Sequence, residues 1–105
     1  MVPDELIDQV ARLFALLSDP TRLRLVRELH QHEELGVGEL AASTGVSLAN
    51  ASQHLGRLAD AGVVTRRREG KSVLYRIADP RLEQLCDAVC TSVRERARAL
   101  AGGAA

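Results

Sequence analysis

The chain has 105 residues, enough for one domain with a modest core, and 46% of them are hydrophobic. One Phe, one Tyr and no Trp leave a core of Leu, Val and Ala, which favours packed helices. No run approaches the roughly 18 apolar residues of a membrane span, and the acidic start lacks the basic-then-apolar order of a signal peptide. We therefore expect a cytoplasmic protein that does not bind a membrane.

The formal net charge is zero, but the charges are distributed unevenly. Residues 1–40 hold eight acids and four arginines, whereas residues 57–81 hold seven basic residues and three acids. Phosphates respond to a local basic face and not to the total charge, so neutrality does not exclude nucleic acid.

The first 38 residues predict two helices and a connection. An apolar stripe predicts a helix over residues 4–17. Asp19 as N-cap and Pro20 at the first helical position begin a second helix, which runs to about His30 and is apolar around most of its circumference. The polar segment 30–38 contains glycine and is predicted to be a connection.

Residues 38–62 have the pattern of a helix-turn-helix. A short helix is expected over residues 38–43, followed by a tight turn at residues 44–46. A longer helix then begins at the capping residue Ser47 and ends at Gly62, a left-handed C-cap. Short helix, glycine-containing turn and longer helix make up the helix-turn-helix motif.

The longer helix has one apolar face and one unusual polar face. Its apolar face is predicted to contain Leu48, Ala51, Leu55 and Leu58. The opposite face carries amides and an arginine, which can hydrogen-bond base edges in a DNA major groove. An ordinary amphipathic helix with a polar exposed side would explain the same spacing, so the neighbouring segments must decide.

After Gly62 the hydrophobic period changes from 3.6 to 2. Residues 63–78 predict a β-hairpin around residues 68–71, with basic residues near its tip. A solvated hairpin would usually mix charges and not place three arginines in a row. Asp79 and Pro80 open a last helix to about residue 100, and residues 101–105 are expected to fray.

The predicted order is α-α-α-α-β-β-α, a mainly α winged helix-turn-helix with a β-hairpin wing, in a single domain of residues 1–105. We expect base contacts from the helix, phosphate contacts from its flanks and backbone contacts from the wing. Ser47 would hold a phosphate at the helix start. The complete set of candidate DNA-binding residues is Ser47, Ala49, Asn50, Ser52, Gln53, His54, Arg57, Arg66, Arg67, Arg68 and Lys71.

The chain resembles the ArsR/SmtB family of metal-responsive bacterial repressors. The resemblance rests on four blocks that occur in the family's order and spacing, and together they cover most of residues 6–90. They are ALLSDPTRLRLVREL (15–29), VGELAASTGVS (37–47), ASQHLGRLADAGVV (51–64) and RRREGKSVLYRI (66–77).

The resemblance implies a homodimeric repressor on an inverted-repeat operator, released from DNA by its inducer. It also implies that the first and last helices form the dimer interface, and the long apolar stripes near the chain ends favour this independently. The expected interface residues are Leu6, Val10, Leu13, Leu82, Leu85, Cys86, Val89 and Val93.

The family's metal sites are altered in this chain. The arsenic-sensing branch has two cysteines where this chain has Gly36 and Gly38. The zinc-sensing branch uses two carboxylates and two imidazoles of the last helix. Here Asp79 and Glu95 remain as remnants, and both imidazoles are replaced. Two carboxylates alone suit zinc or nickel poorly.

Two other sources of effector ligands remain open. His30, His32 and Glu33 combine two imidazoles and a carboxylate suited to nickel or zinc, although histidine at a helix C-terminus also complements the helix dipole. Cys86 and Cys90, four residues apart, could share a metal or react as thiol sensors, although packing in the core is also consistent with Cys86.

The sequence therefore predicts a DNA-binding transcriptional repressor whose affinity is modulated by a divalent metal ion of the nickel or zinc type. Alternatives are a thiol- or redox-responsive repressor and a winged-helix interaction module that needs a partner protein. An enzyme is disfavoured, because the chain has no glycine-rich phosphate loop, no Ser-His-Asp arrangement and little room for a substrate cleft.

Overall fold

The computed structural model describes residues 1–102, which form five helices and a three-stranded antiparallel sheet. A single 3-10 turn over Asp4–Leu6 precedes the first helix. The elements in chain order are α1 (Ile7–Leu17), α2 (Pro20–Gln31), β1 (Leu35–Gly36), α3 (Val37–Thr44), α4 (Leu48–Asp60), β2 (Val64–Glu69), β3 (Ser72–Ile77) and α5 (Arg81–Gly102). The predicted winged helix-turn-helix is confirmed.

The predicted helix starts have their expected caps. The Asp19 carboxylate accepts a hydrogen bond from the Arg22 N–H at 2.9 Å, and the Ser47 hydroxyl accepts one from the Asn50 N–H at 3.1 Å. Both contacts satisfy an N–H group that the first helical turn leaves free.

The turn between α3 and α4 depends on a glycine. Gly45 has a φ of 73°, a left-handed conformation that L-residues adopt only at a cost. Its N–H and that of Val46 both donate to the Ala41 carbonyl, which closes the end of α3. Gly62 has the same role after α4, with a φ of 77°.

One prediction for the connection was wrong. Residues 30–38 contain β1, which pairs antiparallel with β3 through Leu35 opposite Tyr75 and Gly36 opposite Leu74. A two-residue strand is too short to show an alternating pattern in the sequence. Its position is set by pairing with a strand that is distant in the chain. This strand fixes the start of α3 against the wing, where β2 and β3 pair from Val64 with Ile77 to Glu69 with Ser72.

The aliphatic core lies where α2, α3, α4 and the base of the hairpin meet. Its fully buried large side chains are Leu25, Val26, Leu40, Leu55, Leu58 and Val64. Leu48, which the sequence placed on the apolar face of the longer helix, is 57% exposed, and Leu23 of the apolar second helix is 41% exposed. Leu48 is the first helical residue of α4, so no preceding turn covers it.

The last helix is supported only at its start. Leu82 is the only buried residue of α5, and Leu85 and Cys86 pack partly against the core. The helix continues through Gly102, which corrects the predicted fraying of residues 101 and 102, and residues 103–105 lie outside the described part. The radius of gyration is 16.0 Å, above the roughly 13 Å of a compact chain of this size, because α5 projects from the domain.

Candidate nucleic-acid interface

The exposed face of α4 presents the predicted polar residues together. Ala51, Leu55 and Leu58 are 0% exposed, which fixes the rotation of the helix about its axis. The opposite face of α4 then points outward as a single strip. Its residues are all exposed: Ala49, Asn50, Gln53 and Arg57. Their spacing places two amides and a guanidinium on one face.

One flank of α4 is held by the start of α2. Arg22 donates from Nε to the Leu16 carbonyl at 2.6 Å, and its Nη1 lies 3.3 Å from Nδ1 of His54. Arginine has no acceptor, so Nδ1 must accept and the ring's proton lies on Nε2. His54 is thus half-buried and tied to Arg22, whereas the sequence predicted a side chain dedicated to phosphate. Only its Nε2–H is left to donate to DNA.

Sequence reasoning missed Arg22, which joins the end of α1, the start of α2 and the side of α4. The signal was present in the SDPTR segment, where an arginine follows a helix cap by three residues. The Arg22 N–H, which donates to the capping carboxylate of Asp19, lowers the pKa of that carboxyl group. The positive charge of the Arg22 guanidinium lowers it further.

The other flank of α4 faces the wing. A surface groove of about 410 Å³ between α4 and the wing is lined by Ser52, Arg66, Arg67, Arg68, Val73 and Tyr75. Successive residues of a strand point to opposite faces, so Arg66 and Arg68 share the face that borders α4. Lys71 lies in the exposed turn at the wing tip, as predicted.

Arg67 differs from its two neighbours in the wing. It donates to both carboxylate oxygens of Glu34 at 2.8 Å and pairs with Glu69 at 2.8 Å. The bonds to Glu34, and then to Glu69, raise the pKa of Arg67, and Arg67 lowers that of Glu34. This arginine holds the wing to the segment before β1, so its charge is already neutralised. Sequence reasoning treated the three arginines as equivalent.

The residues proposed for nickel or zinc are not gathered into a site. His32 Nδ1 lies 3.0 Å from the Glu28 carbonyl, and Glu33 pairs with Arg76 at 2.9 Å. The buried Nε2 of His30 has no hydrogen-bond partner. Within residues 1–102 no group of three or more His, Cys, Asp or Glu side chains could hold a metal ion.

The two remnant carboxylates of the last helix are also apart. The Arg81 side chain donates two hydrogen bonds of 2.9 and 3.0 Å to Asp79 and its backbone N–H donates a third of 3.0 Å, and these bonds lower the pKa of Asp79. Glu95 lies 14 residues beyond Arg81 along the same helix, roughly 20 Å at 1.5 Å per residue. One protomer therefore cannot join them around one ion.

The expected interface residues divide into two groups. Leu82 is buried in the protomer's own core, and Leu13, Leu85 and Cys86 pack partly against it. Exposed apolar side chains instead follow α1 and the outer part of α5. Together with Leu23 of α2 they form the apolar surface: Leu6, Ile7, Phe14, Leu23, Val89, Val93 and Leu100, each 41–84% exposed. Val10 is half-buried among them.

Helix α4, the turn that precedes it and the basic hairpin together define a winged helix-turn-helix DNA-binding protein. A helix-turn-helix domain family matches residues 17–67. The chain is 40% identical over 78 residues to a probable mercury resistance operon repressor of Streptomyces lividans, covering 74% of this chain and 62% of that protein. It is 39% identical to a biofilm growth-associated repressor of Xylella fastidiosa, covering 80% of this chain and 73% of the relative.

A solved structure gives the same result for the fold. The homodimeric winged helix-turn-helix DNA-binding domain of a Mycobacterium bovis protein superposes with a TM-score of 0.77 at 37% identity, covering 90% of this chain and 93% of that one. The chain belongs to the ArsR/SmtB family of transcriptional repressors. Its relatives are repressors and not enzymes. None of the helices within residues 1–102 has the length and apolarity that a membrane crossing requires.

We expect Arg22→Ala to lower the free energy of unfolding by about 1–3 kcal/mol, because a partly buried carbonyl and an imidazole nitrogen lose a charged donor. Arg24→Ala is the matched control, since Arg24 is exposed on the same helix and should change stability by less than about 0.5 kcal/mol. Urea unfolding at one fixed protein concentration measures both. Equal losses in the two variants would show that the Arg22 contacts do not stabilise the fold.

Proposed function

We propose that this protein is a homodimeric repressor that binds an inverted-repeat operator in the cytoplasm and is released from it by an effector. The observation that carries the proposal is the continuous polar surface formed by α4 and the wing. Asn50 and Gln53 are the base readers, with Ala49 against a thymine methyl group. Ser47, Ser52, His54 Nε2 and Arg57 contact phosphate, and Arg66, Arg68 and Lys71 follow the backbone.

The second protomer is needed for geometric reasons. A helix of 22 residues that packs on its own domain only through its first turns leaves Val89 and Val93 in water. Helices in proteins derive most of their stability from packing an apolar face, so α5 requires a partner surface. The apolar surface of a second copy supplies one, and the two α4 helices then enter successive major grooves about one turn apart. The homodimeric relative supports this arrangement.

A metal ion is the effector class that the relatives favour, since one of them is named for a mercury resistance operon. The nickel or zinc set of His30, His32 and Glu33 does not fit. The three residues line one surface groove, but His32 and Glu33 are engaged with the Glu28 carbonyl and Arg76, and no group of three or more such side chains within residues 1–102 could hold a metal ion. Asp79 and Glu95 could meet only between two protomers. A partner protein as the effector remains the alternative, and it would contact the same exposed surfaces.

We expect Gln53→Ala to weaken binding to the operator by 5- to 150-fold (about 1–3 kcal/mol), because an adenine loses its bidentate partner. Binding to an unrelated duplex should stay unchanged. Fluorescence anisotropy with both duplexes measures the two affinities. Gln84→Ala is the control, since Gln84 is an exposed amide on α5, away from α4. If Gln53→Ala left both affinities unchanged, this surface would not read bases.

The wing arginines give a second test through the salt dependence of binding. Replacing Arg66 and Arg68 by alanine should reduce the slope of log affinity against log salt by roughly 1.8, about 0.9 for each lost phosphate contact. The single variants Arg66→Ala, Arg68→Ala and Arg67→Ala each remove one positive charge, but the guanidinium of Arg67 is already paired with Glu34 and Glu69. Its slope should fall by clearly less than 0.9. An Arg67 effect as large as that of Arg68 would contradict the assignment.

The dimer is tested by placing a charge within the apolar surface. Val93→Asp should convert the dimer into monomers in analytical ultracentrifugation and reduce operator affinity at least tenfold, because burying an unpaired carboxylate is costly. Thr91→Asp is the control, since Thr91 lies on the opposite side of α5 and is exposed. A Val93→Asp protein that remained dimeric would place the interface elsewhere.

A further inference from the structure

Cys86 and Cys90 lie one helical turn apart on α5 and line the same groove. This groove, of about 360 Å³, is walled by Phe14 and Leu17 of α1, Leu23 of α2 and Val89 of α5. The lining is almost entirely apolar. Both cysteines are free thiols, and in the single chain Cys86 is half-buried and Cys90 exposed, so the groove contains two soft donors.

The spacing of the two thiols disfavours a disulfide and suits a bridging ion. Residues four apart on a helix have Cβ atoms about 5–6 Å apart. A disulfide needs about 3.5–4.5 Å between Cβ atoms, so the pair could close one only by distorting α5. Two metal–sulfur bonds of about 2.3 Å separate the sulfurs by roughly 4.6 Å in a linear arrangement. That distance matches the helix without distortion.

We propose that Cys86 and Cys90 bind one divalent thiophilic cation that prefers two thiolate ligands, of which Hg²⁺ is the type, and that this ion is the effector of the function proposed above. Two S–H bonds break, two sulfur–metal bonds form, and two protons pass to the buffer. No oxidation state changes. The bis-thiolate of a divalent ion is neutral, so it can occupy an apolar groove without the cost of burying a charge.

Charge and coordination number make Cu⁺ and Zn²⁺ less suitable than Hg²⁺ for this pair of thiolates. A monovalent ion such as Cu⁺ would leave a net negative bis-thiolate beside Asp87. Zn²⁺ completes a tetrahedral set of four ligands. The adjoining groove of about 350 Å³ contains His30, Glu83 and Asp87 next to the cysteines, but these side chains are not gathered into a site.

The half-burial of Cys86 argues against an oxidant sensor that uses both thiols, because oxidant-sensing cysteines are exposed.

The position of the groove explains how the ion would act. Phe14, Leu23 and Val89 belong both to its walls and to the apolar surface proposed for dimerisation. Filling the groove therefore changes the packing between α1, α2 and α5 where the second protomer is proposed to bind. We expect operator affinity to fall at least fivefold, within the usual range of allosteric coupling.

The experiment titrates the reduced, full-length protein with HgCl₂ in the presence of glutathione, which suppresses binding to single thiols. Against a protein-free blank of the same HgCl₂ and glutathione, the ultraviolet thiolate-to-metal absorbance and the mercury that stays with the protein after gel filtration should both saturate at one ion per protomer. The two protons of Cys86 and Cys90 pass to the displaced glutathione in this buffer, so no net proton release is expected. Operator anisotropy is recorded in the same titration. Cys86→Ser and Cys90→Ser should each abolish all three changes, whereas Ala88→Ser, on the same turn of α5, should retain them. Circular dichroism and ion-free operator binding verify that each variant folds.

Each result supports or overturns the proposal. Two ions per protomer, an absorbance that persists in either cysteine variant, or an equally tight response to Zn²⁺ would overturn the two-thiolate site. Saturation at one ion with unchanged operator affinity would overturn its role as effector. Absence of operator binding before any ion is added would instead contradict the proposed repressor function, so the two failures are distinguishable.

Discussion

Burial of the apolar face of α4 is the constraint on which the DNA-binding surface depends. Ala51, Leu55 and Leu58 have no exposed surface, so the helix cannot rotate without opening the core. Truncating one buried leucine in such a position costs about 2–5 kcal/mol, comparable with a large fraction of a small domain's stability. Packing energy therefore sets the direction in which Asn50 and Gln53 point, and the polar face itself contributes little to folding.

The same core leaves the end of the chain unsatisfied. Only Leu82 of α5 reaches it fully, and the helix then extends into solvent with its apolar stripe uncovered. The domain buries one end of this 22-residue helix and exposes the other. The helix-turn-helix is therefore complete within one chain, while the apolar stripe of α5 is left uncovered. Folding of the helix-turn-helix and the proposed assembly of a dimer thus depend on different parts of one hydrophobic pattern.

The sequence was informative where local patterns determine structure. Caps at Asp19 and Ser47, glycines at 45 and 62 and the change of period after α4 each act within a few residues, and the elements they predict are present. Together with the family blocks they determined the fold and the polar face of α4. The candidate contacts themselves remain a proposal.

What could not be predicted depends on residues far apart in the chain. The strand at Leu35 exists because Tyr75 lies opposite it, 40 residues later. Arg67 is distinguished from Arg66 and Arg68 by Glu34, and His54 from its neighbours by Arg22. No periodicity within one segment contains that information. The same limit explains why His30, His32 and Glu33, adjacent in sequence, do not form a metal site in the fold.

Two adjacent residues in the first turn of α2 connect the groove that contains Cys86 and Cys90 with α4. Leu23 lies in the wall of the groove, and the adjacent Arg22 reaches the Leu16 carbonyl and His54. Because the two residues belong to the same rigid helical turn, a displacement that repacks Leu23 also moves the guanidinium that holds the flank of α4. The proposed ion at Cys86 and Cys90 would therefore act on the exposed face of α4 over a short distance, through the first turn of α2.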